Sequence, residues 1–137
     1  MTLETTELRF ASRIEAVAEA AAAVSDFLSR AGVSDDVAFG IDMAVREAVT
    51  NAVLHGNKLD ETKFADISLK FSPGVFEITV HDQGSGFNPN DVPDPTTEEN
   101  ILKTSGRGIF FMRNLMDEVE WTVDAKGGTT VHMMKKL

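Results

Sequence analysis

Leu8 and Phe10 alternate with polar neighbours in "TTELRF", the period-two pattern of a short first strand. The pattern then changes to that of a helix in "SRIEAVAEAAAAVSDFLSRAG", where Ile14, Val17, Ala21, Val24 and Leu28 fall on one stripe and leave a single face to bury. Ser12 with Glu15 reads as an S-x-x-E capping box opening this helix, and Gly32 as its stop. A second helix is predicted from Ser34 through "DDVAFGIDMAVREAV" to His55, ending at Gly56, with Val37, Ile41, Ala44, Ala48 and Ala52 facing inward. "FADISLKF" and "VFEITVHD" alternate around "SPG", and "VEWTV" and "TTVHMM" flank "KGG", so two hairpins are expected. Between them lie "HDQGSGFNPNDVPDPTTEENILKTSGRG" and a short helix, "IFFMRNLMDE". The order β-α-α-β-β-loop-α-β-β predicts an α+β two-layer sandwich, its helices packed on one face of a mostly antiparallel mixed sheet. The connection from about Gln83 to Ser105 exceeds the roughly 12–15 residues typical of structureless loops, which predicts a lid.

Composition narrows the function. The 137 residues, 42% hydrophobic, suit one compact domain over 1–137. A formal charge of −9 repels nucleic acid and anionic membrane, so neither is an expected partner. The absence of cysteine excludes disulfides, thiolate metal sites and cysteine nucleophiles. "MTLETTELRF" has no signal-segment character and no apolar run approaches the roughly 20 residues of a membrane span, so the expected location is the cytoplasm. His55, His81 and His132 have no metal-ligand spacing, which argues against zinc.

Four stretches carry candidate chemistry. In "EAVTNAVLHGN", Glu47 and Asn51 lie one helical turn apart on the border of the apolar stripe, where both can look into a cavity beside the core. The bland alternative is a solvated Glu47 paired with Arg46 or Lys58, and Asn51 as a helix-end compromise. In "DQGSGF", Asp82 closes an apolar strand and Gly84 and Gly86 permit close approach of a ligand; taken alone, this stretch is better explained as a tight turn. "TSGRGIFFM" sets Gly106 and Gly108 before a helix, a ready phosphate cradle. "GGTT" lies between the last two strands.

Taken in order, "EAVTNAVLHGN", "DQGSGF", "SGRGIFFMRNLMDEV" and "GGTT" resemble the Bergerat-fold, GHKL-type ATPases, and among them the anti-sigma factor serine/threonine kinases, from Leu8 to Leu137. The resemblance implies ATP and Mg²⁺ as ligands, Glu47 as the catalytic carboxylate that takes the proton of an incoming serine, and Asn51 as the metal-binding amide. It implies that Asp82 accepts a hydrogen bond from the adenine amine, that Gly86 lets the base lie against the sheet, and that Gly84 belongs to the same cofactor-binding set. Gly106, Arg107, Gly108 and Ile109 would hold the phosphates through backbone N–H groups, with Thr104 and Ser105 at the edge of the lid and Lys103 countering phosphate charge. Thr130 resembles the threonine beside the adenine pocket, with an ordinary strand hydroxyl as the alternative; His55 lines the nucleotide site or finishes its helix. The implied partners are an anti-anti-sigma (STAS-domain) protein carrying the acceptor serine and a sigma factor, and a homodimer is the implied assembly. Two other readings stand beside this one: a nucleotide-responsive binding module of the same fold without phosphate transfer, and a detached histidine-kinase catalytic domain. The second is disfavoured because no dimerising helix pair with a phosphoacceptor histidine can be placed.

Overall fold

In a computed structural model, which describes residues 4–84, 112–124 and 127–137, the alternating segments form five strands and the 3.6-period segments form two long helices. Strand β1 (Glu4–Ala11) leads to helices α1 (Glu15–Arg30) and α2 (Asp35–Thr50), and α2 continues into a π-helical turn, Asn51–Gly56. Strands β2 (Phe64–Ser72), β3 (Val75–His81), β4 (Glu118–Val123) and β5 (Thr129–Lys136) complete the sheet in the order β1-β2-β3-β5-β4. Every pairing is antiparallel, so the mostly antiparallel sheet expected from the hairpins is antiparallel throughout the described residues.

One-sided burial explains the layers. Ala65, Ile67 and Leu69 of β2, Phe76, Ile78 and Val80 of β3, and Val131 and Met133 of β5 point to one face and are nearly inaccessible to solvent. Helix α1 meets them with Ala16, Ala20, Val24, Phe27 and Leu28, and α2 with Ile41, Ala44, Val45, Ala48 and Val49. The Phe27 and Phe76 rings lie 6.1 Å apart across the layers, within the range of favourable tilted aromatic pairs. The opposite face of the sheet is polar and carries the pairs Arg9–Asp66 and Glu77–His132. Among the described residues no helix is long and apolar enough to cross a membrane.

The stop at Gly32 has the expected form: Gly32 takes a φ of 77°, and its N–H and that of Val33 return to the carbonyls of Ser29 and Leu28 at 3.1 Å each. The start of α1 differs from the expected capping box. Ile14 occupies the N-cap position, with no side-chain cap, while the buried Ser12 hydroxyl donates to the Lys63 carbonyl at 2.7 Å and accepts from Asn57 Nδ2 at 2.8 Å. Tertiary polar groups that water cannot reach outcompete the local cap for this hydroxyl. The second helix also departs from a uniform α-helix to His55. From Asn51 the turn widens, and the Asn57 and Leu59 N–H groups bond the Ala52 and Val53 carbonyls, both at 2.8 Å. Lys58 and Leu59 then reverse the chain with φ values of 53° and 58°, a left-handed conformation uncommon for such side chains.

Candidate functional site

The wide turn at the end of α2 faces the point where β3 ends, and a narrow cleft opens between them. Ala48, Asn51 and Ala52 form one wall, Val80, Asp82, Thr129 and Val131 form the floor, and Met112 and Trp121 close the side. Trp121 is held from outside by the Arg113 guanidinium, 5.1 Å from the ring centre.

Asp82 follows the last residue of β3 and is almost completely buried. Its Oδ1 accepts from the Gly84 N–H at 2.9 Å and from the Thr129 N–H at 3.3 Å, while its own N–H donates to the Thr129 carbonyl at 2.9 Å. Burial raises its pKa above the usual carboxylate value; the two N–H bonds and neighbouring His81 oppose the rise, and Asp124 adds to it. Backbone packing around it is unusually close. A Cβ placed on Gly56 would lie 2.5 Å from Asp82 Oδ2, and one on Gly84 would lie 1.9 Å from the Gly56 carbonyl oxygen. Only glycine at both positions lets the two loops meet over this carboxylate.

Asn51 is 7% exposed, and among the described residues neither its Nδ2 nor its Oδ1 has a hydrogen-bond partner. Native proteins rarely leave such a group unsatisfied, since each buried unpaired donor or acceptor costs about 1–3 kcal/mol. One turn earlier Glu47 is half-buried, and desolvation raises its pKa. Among the described residues no cation pairs with Glu47: of its two alternative partners, Arg46 is bonded to Asp42 at 2.9 Å and Lys58 forms no salt bridge with it. The arrangement therefore offers an amide oxygen without a partner, a carboxylate of raised basicity one turn away, and a buried carboxylate at the cleft floor. These are groups suited to a hard cation, a proton to be removed and an amine to be bound.

The structure brings Asn51, Asp82 and Gly84 together, with Glu47 one turn from Asn51. His55 is exposed and does not line the cleft. Thr130 requires a correction: it stands opposite His81 and Thr122 on the outer face, and the threonine in the cleft is its neighbour Thr129, 4% exposed. Strand alternation decides this, because Val131 faces the core and side chains two apart share a face. Gly86, Lys103, Thr104, Ser105, Gly106, Arg107, Gly108 and Ile109 lie outside the described residues, as does the expected lid beyond Gly84. Thr129, Met112 and Trp121 line the cleft and Gly56 abuts Asp82, none of which the sequence pattern singled out. The signal for Thr129 was present in "GGTT" and needed only the register.

Comparison with known proteins agrees with this fold. The histidine kinase-like ATPase domain family matches residues 10–135. The anti-sigma F factor of Geobacillus thermodenitrificans is 34% identical over 132 residues, covering 95% of this chain and 90% of that protein. The anti-sigma F factor of Geobacillus stearothermophilus is 35% identical over 130 residues (93% and 89%), and that of Clostridium perfringens 33% over 132 residues (95% and 94%). A crystal structure of the RsbU and RsbW domains of a Mycobacterium tuberculosis protein superposes with a TM-score of 0.73 at 20% identity, over 98% of this chain and 32% of that one, which establishes the shared fold. With the family match spanning nearly the whole chain and the anti-sigma factors similar from end to end, this protein belongs to the histidine kinase-like ATPase domain family, on its anti-sigma factor branch.

Proposed function

We propose that this chain is an anti-sigma regulator that uses ATP and Mg²⁺ to phosphorylate a serine of an anti-anti-sigma (STAS-type) protein, and that it sequesters a sigma factor. The observation that carries the reading is the buried Asn51 amide, without a partner at either atom and one turn from a desolvated Glu47. The similarity to proteins named anti-sigma F factors supports the regulatory part. In this reading the protein works in the cytoplasm and as a homodimer.

The residues fit the ligands. Asn51 Oδ1 is the hard oxygen donor that Mg²⁺ prefers, and the ion, when bound, neutralises charge on the phosphates. Asp82 binds the adenine amine, with its Oδ1 fixed by the Gly84 and Thr129 N–H groups so that the carboxylate cannot rotate away. Thr129, Val80 and Val131 line the cleft on the sheet side, where the base would lie. Glu47 accepts the hydroxyl proton of the acceptor serine as the serine oxygen bonds to the γ-phosphorus and ADP leaves with the electron pair of the broken β–γ bridging P–O bond. Desolvation raises the basicity of this carboxylate above that of one in water, the direction required of a general base.

The test is transfer of label from γ-labelled ATP, with Mg²⁺, to a purified anti-anti-sigma protein. Serine labelling is expected, and Glu47→Gln should lower its rate by roughly 10²–10⁴-fold while leaving nucleotide affinity nearly unchanged. Nucleotide-dependent complex formation without any labelling would instead establish a non-catalytic binding module. Failure to bind adenine nucleotide at all would remove both readings.

A further inference from the structure

The last residue of "EAVTNAVLHGN" has no part in the chemistry above, yet Asn57 is the most completely bonded buried side chain near the cleft. It is 1% exposed. Its Nδ2 donates to Ser12 Oγ at 2.8 Å and to the Phe64 carbonyl at 3.1 Å, and its Oδ1 accepts from the Gln83 N–H at 2.8 Å. The orientation of the amide is forced, because a backbone N–H can only donate and a carbonyl can only accept. Ser12 passes its proton on to the Lys63 carbonyl at 2.7 Å, and Gln83 Oε1 accepts from the Phe64 N–H at 2.7 Å. Four segments are thus tied at one buried side chain: the β1–α1 junction, the end of the wide turn, the entry to β2, and the exit from β3.

The exit from β3 matters most. Gln83 lies between Asp82, which faces the base, and Gly84, whose N–H fixes Asp82 Oδ1. The bond from the Gln83 N–H to Asn57 therefore fixes the Asp82–Gln83 peptide plane, and the Gly84 N–H, bonded to Asp82 Oδ1, fixes the plane that follows. We infer that Asn57 is a positioning residue for base selectivity: by clamping the Gln83 backbone it holds the Asp82 carboxylate at the one angle that discriminates an adenine amine from a guanine carbonyl. The inference rests on the proposed role of Asp82 in binding adenine. Asn57 is without contact to the nucleotide and acts only through Gln83, Gly84 and Asp82.

Selectivity separates this role from a merely structural one, since partial unfolding lowers binding of both nucleotides in the same proportion. Isothermal calorimetry of the full chain with ATP and with GTP gives the ratio of affinities. In Asn57→Ala the preference for ATP should fall by roughly 10- to 100-fold, the loss expected when a recognising group is displaced by about 1 Å. Amide hydrogen exchange on the wild-type protein keeps the idea testable even where Asn57→Ala fails to fold: the Gln83 N–H should exchange at least about tenfold more slowly than an exposed amide. A folded Asn57→Ala that keeps the wild-type ATP:GTP ratio, or an unprotected Gln83 amide in the wild type, overturns the inference. A wild-type protein with no preference for ATP would instead overturn the adenine-binding reading beneath it, so the two failures are distinct.

Discussion

Replacing Asn51 by leucine should make the protein more stable without nucleotide and less stable with it. Both polar atoms of the Asn51 side chain are sealed from solvent and unpaired. Leaving a buried group in that state costs about 1–3 kcal/mol, whereas an apolar group of the same branching has no such cost. Leucine is larger and the cleft beside Asn51 is narrow, so repacking offsets part of the gain from removing two unpaired atoms. A net gain of about 1–2 kcal/mol raises Tm by about 3–8 °C in a domain of this size. The wild-type protein gains about 2.7 kcal/mol from ligand at a hundred times its Kd, or about 8–13 °C, and the leucine variant should gain almost none of this because it cannot hold the cation. Differential scanning fluorimetry with and without MgATP would show the two stability orders reversing. A variant that melts below wild type in the absence of nucleotide, yet keeps the full nucleotide-induced rise, would refute the view that this amide is kept unpaired for a ligand.

Other outcomes follow from the same geometry. Asp82→Asn keeps the shape of the side chain and an acceptor for the Gly84 and Thr129 N–H groups, but loses the charged acceptor for the adenine amine; calorimetry should show ATP binding weakened by roughly 10- to 150-fold, from about 1.5–3 kcal/mol for a charged hydrogen bond. Gly56→Ala puts a methyl group 2.5 Å from Asp82 Oδ2, so chemical denaturation should show a loss of about 1–3 kcal/mol and nucleotide titration a collapse of affinity. Glu47 has a raised pKa in the folded state, so its contribution to stability is present below the unfolded carboxylate pKa and is lost as pH rises through the folded value. Glu47→Gln should therefore melt higher than wild type at neutral pH, with the difference vanishing in acid. The acidic limb of the transfer rate in the wild type should lie above the usual glutamate range, and a limb at the ordinary value would argue against Glu47 as the base.

The elements of this fold were legible because one-sided burial imposes a period on the chain. Ile67, Leu69 and Phe71 alternate because their strand has one covered face, and Ile41, Ala44 and Ala48 recur at helical spacing for the same reason. Gly32 ended its helix as expected because left-handed backbone is a local property of glycine. Glu47, Asn51 and Asp82 could be singled out because each is a polar residue at the border of an apolar pattern, a local anomaly visible without coordinates. Other features depend on partners distant in the chain. Ser12 looked like a cap because its nearest sequence neighbours suit one, but its actual partners, Asn57 and Lys63, are 45 and 51 residues away. In "GGTT" the sequence pointed to Thr130, and only the pairing of Val80 with Val131 placed Thr129 in the cleft and Thr130 on the outer face. Which segments are helix and strand, and which polar residues are out of place, is written locally along the chain, since backbone stereochemistry and one-sided burial act within a few residues. Which of those polar groups meet is set by the three-dimensional packing, because hydrogen bonds buried from water select partners by their position in space, whatever their separation along the chain.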